Sequence, residues 1–338
     1  MAAATVAYPV RSAPRWIIGR GVDLTLVIGS ATAGYVYLLL FAVLHVPITL
    51  LWWFWSVGFD GTHIFATATR TFFDSEARVR HRKLLFGSLL AFFSLGPLMV
   101  LAGQKGLLYL LVGVWAYFHV VRQHYGFMVL YKVKSRDFAK VDNWLDQIFL
   151  GVMLTVPPFH RFFVHHPEEL GVPFSFPRVE TGIWVLVAAV CVVYAARQWV
   201  RWRAGSPGAI PKYLLLGAVI PLHWLTFAFM SWQAAVPTVT IVHNLQYHAL
   251  VWFHNRNRYS GESGHGWIPA AVSRSLLAYL GVGLVFSLAY RIPGFQLGKV
   301  SDLAFGFFCG FGLTHYYLDS KIWRVRHDPG LRAALRMA

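Results

Sequence analysis

His243-Asn244-Leu245-Gln246-Tyr247-His248 decides how this chain is read, and it runs on through Ala249-Leu250-Val251-Trp252-Phe253 to His254. Ionisable side chains inside an apolar segment of membrane-spanning length are expensive and mark functional sites. The spacing of its first two histidines recurs in His119-Val120-Val121-Arg122-Gln123-His124, and two further apolar segments carry Asp60 with His63 and His315 with Asp319. This pattern predicts four helices that meet and hold a metal.

The rest of the chain supplies the setting. Of 338 residues, 57% are hydrophobic, 17% aromatic and 13% charged, a charged share about half that of a soluble domain. Reading spans of about 20 apolar residues predicts an all-α, polytopic membrane helix bundle of about ten transmembrane helices. They cover 22–45, 47–70, 84–103, 107–131, 143–161, 182–200, 212–231, 235–256, 271–291 and 301–323, in a single integral-membrane domain over 1–338. With the N-terminus inside, 24 of the 30 Lys and Arg fall on the cytoplasmic side, beginning with Arg11, Arg15 and Arg20; Lys105, Arg161, Arg178, Arg291 and Lys299 fall outside, and Arg122 is left within a span. Such a bias places both termini in the cytoplasm and explains the net charge of +16 without a nucleic-acid partner. The expected location is a bacterial inner (cytoplasmic) membrane. The N-terminus lacks the short apolar core and cleavage site of a signal peptide. Cys191 and Cys309 lie in apolar runs, so metal ligands must come from His, Asp and Glu. Asn255 to Gly266 reads as a mobile connection rich in small polar residues.

Depth and helical phase narrow the candidates. Counting back from the first basic residue at the cytoplasmic end, His63 lies 7 positions from Arg70, His124 lies 8 from Lys132, His248 lies 8 from Arg256 and His315 lies 6 from Lys321. At about 1.5 Å per residue these four share a depth of roughly 9 to 12 Å. His119 and His243 lie a tier deeper, 13 positions back, with Asp60 between at 10. Asp60 with His63, and His315 with Asp319, share faces at three and four residues apart. The pairs His119/His124 and His243/His248, five apart, diverge by roughly 140° unless a π turn realigns them. Otherwise one histidine of each pair faces the site and the other turns away. His254 lies about 16 Å along the helix from His243 and reads as interfacial or outer-layer.

The metal candidates are therefore His63, His119, His124, His243, His248 and His315, with Asp60 and Asp319. Imidazole suits Fe, Zn, Cu and Ni, and a His-rich site with carboxylate help is typical of non-haem iron. Asp60, Asp319, Gln123, Asn244, Gln246 and Tyr247 are placed to hydrogen-bond the second ring nitrogens, and Asp146 is a further carboxylate at a similar depth. Asp60, Asp319 and Arg122 are the catalytic candidates, Arg122 to orient an acidic head group or pair with Asp60. His160, the His165-His166 pair, His45 and His223 read as outer-side or isolated residues, and His81, His265 and His327 as solvated ones.

At His119-x4-His124 and His243-x4-His248 the chain resembles the histidine-box membrane enzymes: fatty acid desaturases, lipid hydroxylases and alkane monooxygenases. The resemblance implies an oxygen-dependent oxidoreductase with one or two non-haem iron ions, an apolar or lipid substrate, O2 and an electron donor. This sequence has no His-His box on the cytoplasmic side, where that family has two, and about ten spans where four to six are usual, departures that count against two ions and leave one possible. Two other classes compete. A haem electron-transfer protein would place axial histidines across a pocket; an ion- or proton-coupled transporter would place its polar groups near the midplane on broken helices.

Overall fold

The computed structural model describes residues 15–205, 208–259 and 267–337. Arg11, and the Asn255 to Gly266 connection from Ser260 onward with His265, lie outside them; Asn255 to Tyr259 finish a helix. Among the described residues every regular element is helical. Six helices among the described residues are long and apolar enough to cross a membrane by length and composition: Arg20–Ala42, Arg82–Leu101, Lys140–His165, Pro177–Arg203, Ile210–Phe229 and Leu276–Val300. Their outward surfaces are apolar. Leu90, Val185, Val192 and Leu277 are each more than half exposed, a surface suited to lipid tails rather than water.

The other long helices occupy residues 48–70, Lys105–Lys134, Trp232–Tyr259 and Asp302–Ile322. These four carry His63, His119, His243 and His315, and their polar residues hold them below the apolarity of the six. The span expected at 271–291 is the helix Leu276–Val300, so Arg291, read as an outer-side residue, sits within a helix.

The chain forms two compact units, one of residues up to Leu24 with Val121–Phe229, the other of Thr25–Val120 with Met230 onward. In the first, one buried carboxylate ties its own helix to three others: Asp146 accepts from Lys212 Nζ at 2.9 Å and Tyr194 Oη at 2.9 Å, and is paired with Lys132. Asp142 similarly binds Arg197 at 2.8 Å and Arg201 at 3.2 Å.

The second unit holds the four histidine helices. Gly61–Arg70 is buried at all ten residues although it includes Thr62, His63, Thr67, Thr69 and Arg70. Polar groups are buried without large cost only when hydrogen-bonded, and here they are: Thr69 donates to Ala66 O at 2.7 Å and accepts from Asn255 Nδ2 at 2.9 Å. A π-helical turn, Ser56–Asp60, precedes this segment, and Ser287 Oγ donates to its Val57 carbonyl at 2.7 Å. Helices Arg82–Leu101 and Asp302–Ile322 meet backbone to backbone, since a Cβ built on Gly96 would lie 1.9 Å from Gly306 O.

Asp74 fastens the end of the His63 helix to the end of the His243 helix, accepting from Arg258 Nε at 3.0 Å and Tyr259 Oη at 2.9 Å and capping Ala77 N at 3.1 Å. Burial pushes this carboxyl up, but the Ala77 N–H, Arg258 and the Tyr259 hydroxyl together hold it below its ordinary value. A carboxyl depressed in the folded state stabilises fully above its unfolded pKa of about 3.9, and that contribution is lost as pH falls through the folded value. Asp74→Asn is expected to lower stability at neutral pH by about 1–2 kcal/mol through loss of charge-assisted hydrogen bonds. Thermal unfolding in detergent should show the gap from wild type closing in acid; a gap independent of pH would count against the carboxylate.

Candidate metal centre

His63, His119, His243 and His315 each bring a ring nitrogen to one point, with the four atoms all within 4.8 Å of one another. The rings form a closed circuit: His63 to His243 at 5.1 Å between centroids, His243 to His119 at 4.9 Å, His119 to His315 at 4.9 Å and His315 back to His63 at 4.2 Å. Successive planes stand at 78–88°, edge to face. His63, His243 and His315 are no more than 2% exposed and His119 is 9% exposed.

The surrounding hydrogen bonds set the ring tautomers. His63 Nδ1 lies 2.6 Å from the Asp60 carbonyl, an acceptor only, so Nδ1 carries the proton and Nε2 the lone pair. Thr67 Oγ1 donates to Asp319 Oδ1 at 2.9 Å. A hydroxyl has one proton, so with Asp319 ionised Thr67 accepts from His315 Nδ1 at 2.7 Å, and the His315 Nε2 lone pair is left inward. The two Nε2 atoms stand 2.7 Å apart with no proton between them, an arrangement that a cation would relieve.

Other features fit an ion. Four nitrogens at about 2.0–2.1 Å from a tetrahedral ion are separated by about 3.3 Å, inside the range of 2.7 to 4.8 Å found here. His119 Nε2 is buried without a hydrogen-bond partner, as are both amide atoms of Asn244 and the Thr314 hydroxyl, next in sequence to His243 and His315. Buried polar groups are seldom left unsatisfied, and those that are point to a role.

The carboxylates stand behind the imidazoles. Asp319 Oδ1 also accepts from Tyr247 Oη at 2.8 Å, and its Oδ2 lies 3.8 Å from His119 Nε2. Asp60 pairs with Arg291, and its carboxylate lies 3.9 Å from His63 Nδ1.

Several sequence-predicted residues lie elsewhere. His124 belongs to the other compact unit, its ring 5.8 Å from that of His223. His248 has both nitrogens engaged, Nε2 by Thr62 Oγ1 at 3.0 Å and Nδ1 by Tyr279 Oη at 2.9 Å. The helices carrying His119 and His243 are regular α-helix throughout, so residues five apart diverge and one of each pair reaches the centre. Of the four histidine helices it is the one at residues 48–70 that contains a π turn, at Ser56–Asp60. Arg122 is exposed, 5.1 Å from the Tyr125 ring. Gln246 donates to Val27 O at 2.8 Å, and Asp146 serves the lysine network. Sequence reasoning did not single out Thr67, whose spacing of four from His63 was available as a signal. His254 and Trp323 bring their rings within 5.9 Å, and Trp323 donates to Tyr247 Oη at 3.3 Å.

No family model, no curated protein and no solved structure matches the chain.

Proposed function

We infer that this chain is a multi-pass membrane metalloenzyme of about ten spans with both termini cytoplasmic. In this reading His63, His119, His243 and His315 hold non-haem iron in an oxygen-dependent oxidoreductase acting on a lipid or other apolar substrate. The observation that carries it is the convergence of four imidazoles from four helices on one buried point. Iron in such a donor set supplies oxygen activation. The chain's own residues do the rest. Asp60 O and Thr67 hold the outer nitrogens of His63 and His315, fixing the ring planes and directing both Nε2 atoms inward. Asp319 contributes the negative charge nearest the centre.

A cleft of about 160 Å³ is lined by Arg70, Arg80, Lys321 and Arg324 as well as by Asp74, Glu76 and Asp328, with Arg258 paired to Asp74 and Glu76; its excess of basic over acidic groups would suit an acidic electron donor or head group. Arg70 lies 4.0 Å from the Trp323 ring, and Trp323 contacts Tyr247, which binds Asp319. A porphyrin has no room between His63 and His315, whose nitrogens stand 2.7 Å apart; this favours a bare ion over haem at that pair.

Metal analysis and the visible spectrum of detergent-purified protein test the reading: iron without a haem band, with reductant-dependent oxygen uptake, is expected. A haem band, or zinc as the only metal, overturns the iron reading. Asp319→Asn keeps the shape and an oxygen acceptor for Thr67 and Tyr247 but removes the charge. It should yield folded protein with iron affinity reduced about 10 to 100-fold, whereas unchanged iron would remove Asp319 from the centre.

A further inference from the structure

The geometry points to a second metal site at His160, His165 and Glu180, built for a divalent transition ion such as Zn²⁺ and independent of the four-imidazole centre. His160 and His165 are five residues apart, a spacing that an α-helix would splay by roughly 140°. The helix Lys140–Phe159 instead passes into a π-helical turn, His160–His165, whose i to i+5 repeat returns such residues to one face. Pro157 and Pro158, in the α-helical turn just before the π turn, remove two N–H donors from the ladder. The Met153 carbonyl, which a residue at 157 would otherwise satisfy, accepts from Trp224 Nε1 at 2.9 Å.

Glu180 comes from the first position of the following long helix, Glu180–Arg203. Its Oε1 lies 3.0 Å from His160 Nε2 and 3.2 Å from His165 Nε2, and the two nitrogens are 3.2 Å apart. Three donors thus form a nearly equilateral triangle. Ligands at about 2.0–2.1 Å from a tetrahedral ion are separated by about 3.3 Å, so an ion fits with an expansion of one or two tenths of an ångström. Two neutral imidazoles and one carboxylate offset half the charge of a dication. His165 and Glu180 side chains are 45% and 40% exposed, which leaves the fourth position open to water. Occupied, the site clamps the end of one helix to the start of the next and closes the intervening loop with its Pro167–Leu170 and Pro177–Val179 turns.

The test is Zn²⁺ titration of the metal-stripped, detergent-purified full chain by calorimetry, beside the variants His165→Ala, Glu180→Gln, His166→Ala and His315→Ala. His166 pairs with Glu168 at 3.2 Å and is the control. His165→Ala and Glu180→Gln should each weaken one Zn²⁺ event by at least about tenfold, with His166→Ala unchanged. That event should persist in His315→Ala, which separates this site from the buried centre. All four substituted side chains save His315 lie at the surface, so near-UV circular dichroism should match wild type for the first three. Identical Zn²⁺ stoichiometry and affinity in wild type, His165→Ala and Glu180→Gln would overturn the proposal.

Discussion

Alanine at His63, His119, His243 or His315, one at a time, is expected to reduce iron affinity by more than about 100-fold, because loss even of a residue behind the ligands costs about 10 to 100-fold. The same change at His124 or His248 should leave bound iron at the wild-type level. The contrast is sharp because all six histidines are buried or partly buried in helices, and four of them converge while His248 is held by Thr62 and Tyr279. Each truncation also empties part of a packed interior, for which about 0.5–3 kcal/mol of lost stability is typical. Iron content should therefore be measured on correctly folded material, with thermal unfolding beside it. Full iron occupancy in all four variants would remove the centre from consideration.

Valine at Gly306 should be nearly as damaging, although no metal candidate is touched. A Cβ at Gly306 would lie 2.7 Å from Gly96 C, 2.8 Å from Gly96 O and 2.9 Å from Pro97 N. All three are backbone atoms, which cannot turn aside as a side chain can. Small residues let membrane helices approach this closely, and overpacking costs about 1–3 kcal/mol or more. Helix Asp302–Ile322 must then shift, and it carries His315 about 13 Å further along. Lowered unfolding temperature together with depleted iron is the expected outcome. Gly87, with nothing within 4 Å of a built Cβ, is the control, where alanine gains helix propensity of up to about 1 kcal/mol. Gly306→Val with wild-type stability and iron would show that the helices have another way to pack.

Much of this was legible in the chain because polar residues in apolar segments stand out. The four helices that form the centre were picked by His63, the His119/His124 pair, the His243/His248 pair and His315. Which histidine of each pair arrives was not legible from depth. Counting back from basic residues favoured His124 and His248, yet helix Lys105–Lys134 runs past Lys132, so a first basic residue is a poor ruler. Phase was the better guide, because residues five apart on an unbroken α-helix cannot both face one point. The π turns at Ser56–Asp60 and His160–His165 leave no periodicity to read, which hid the alignment of His160 with His165. The partner of Asp60 was missed because Arg291, the last residue of the expected span 271–291, was counted with the outer-side residues, whereas the helix runs on to Val300. The apolarity that marks six helices is diluted in the other four by the same residues that make the site.

The single hydroxyl proton of Thr67 has a consequence for the order in which the centre is assembled. Metal binding to histidine ordinarily expels protons, and a proton released among apolar helices needs a way out. With Thr67 donating to Asp319 and the Asp60 carbonyl accepting from His63 Nδ1, both facing Nε2 atoms are already bare. An arriving ion therefore displaces nothing from these two rings. Loading of such a centre would then depend on the ion's own path alone.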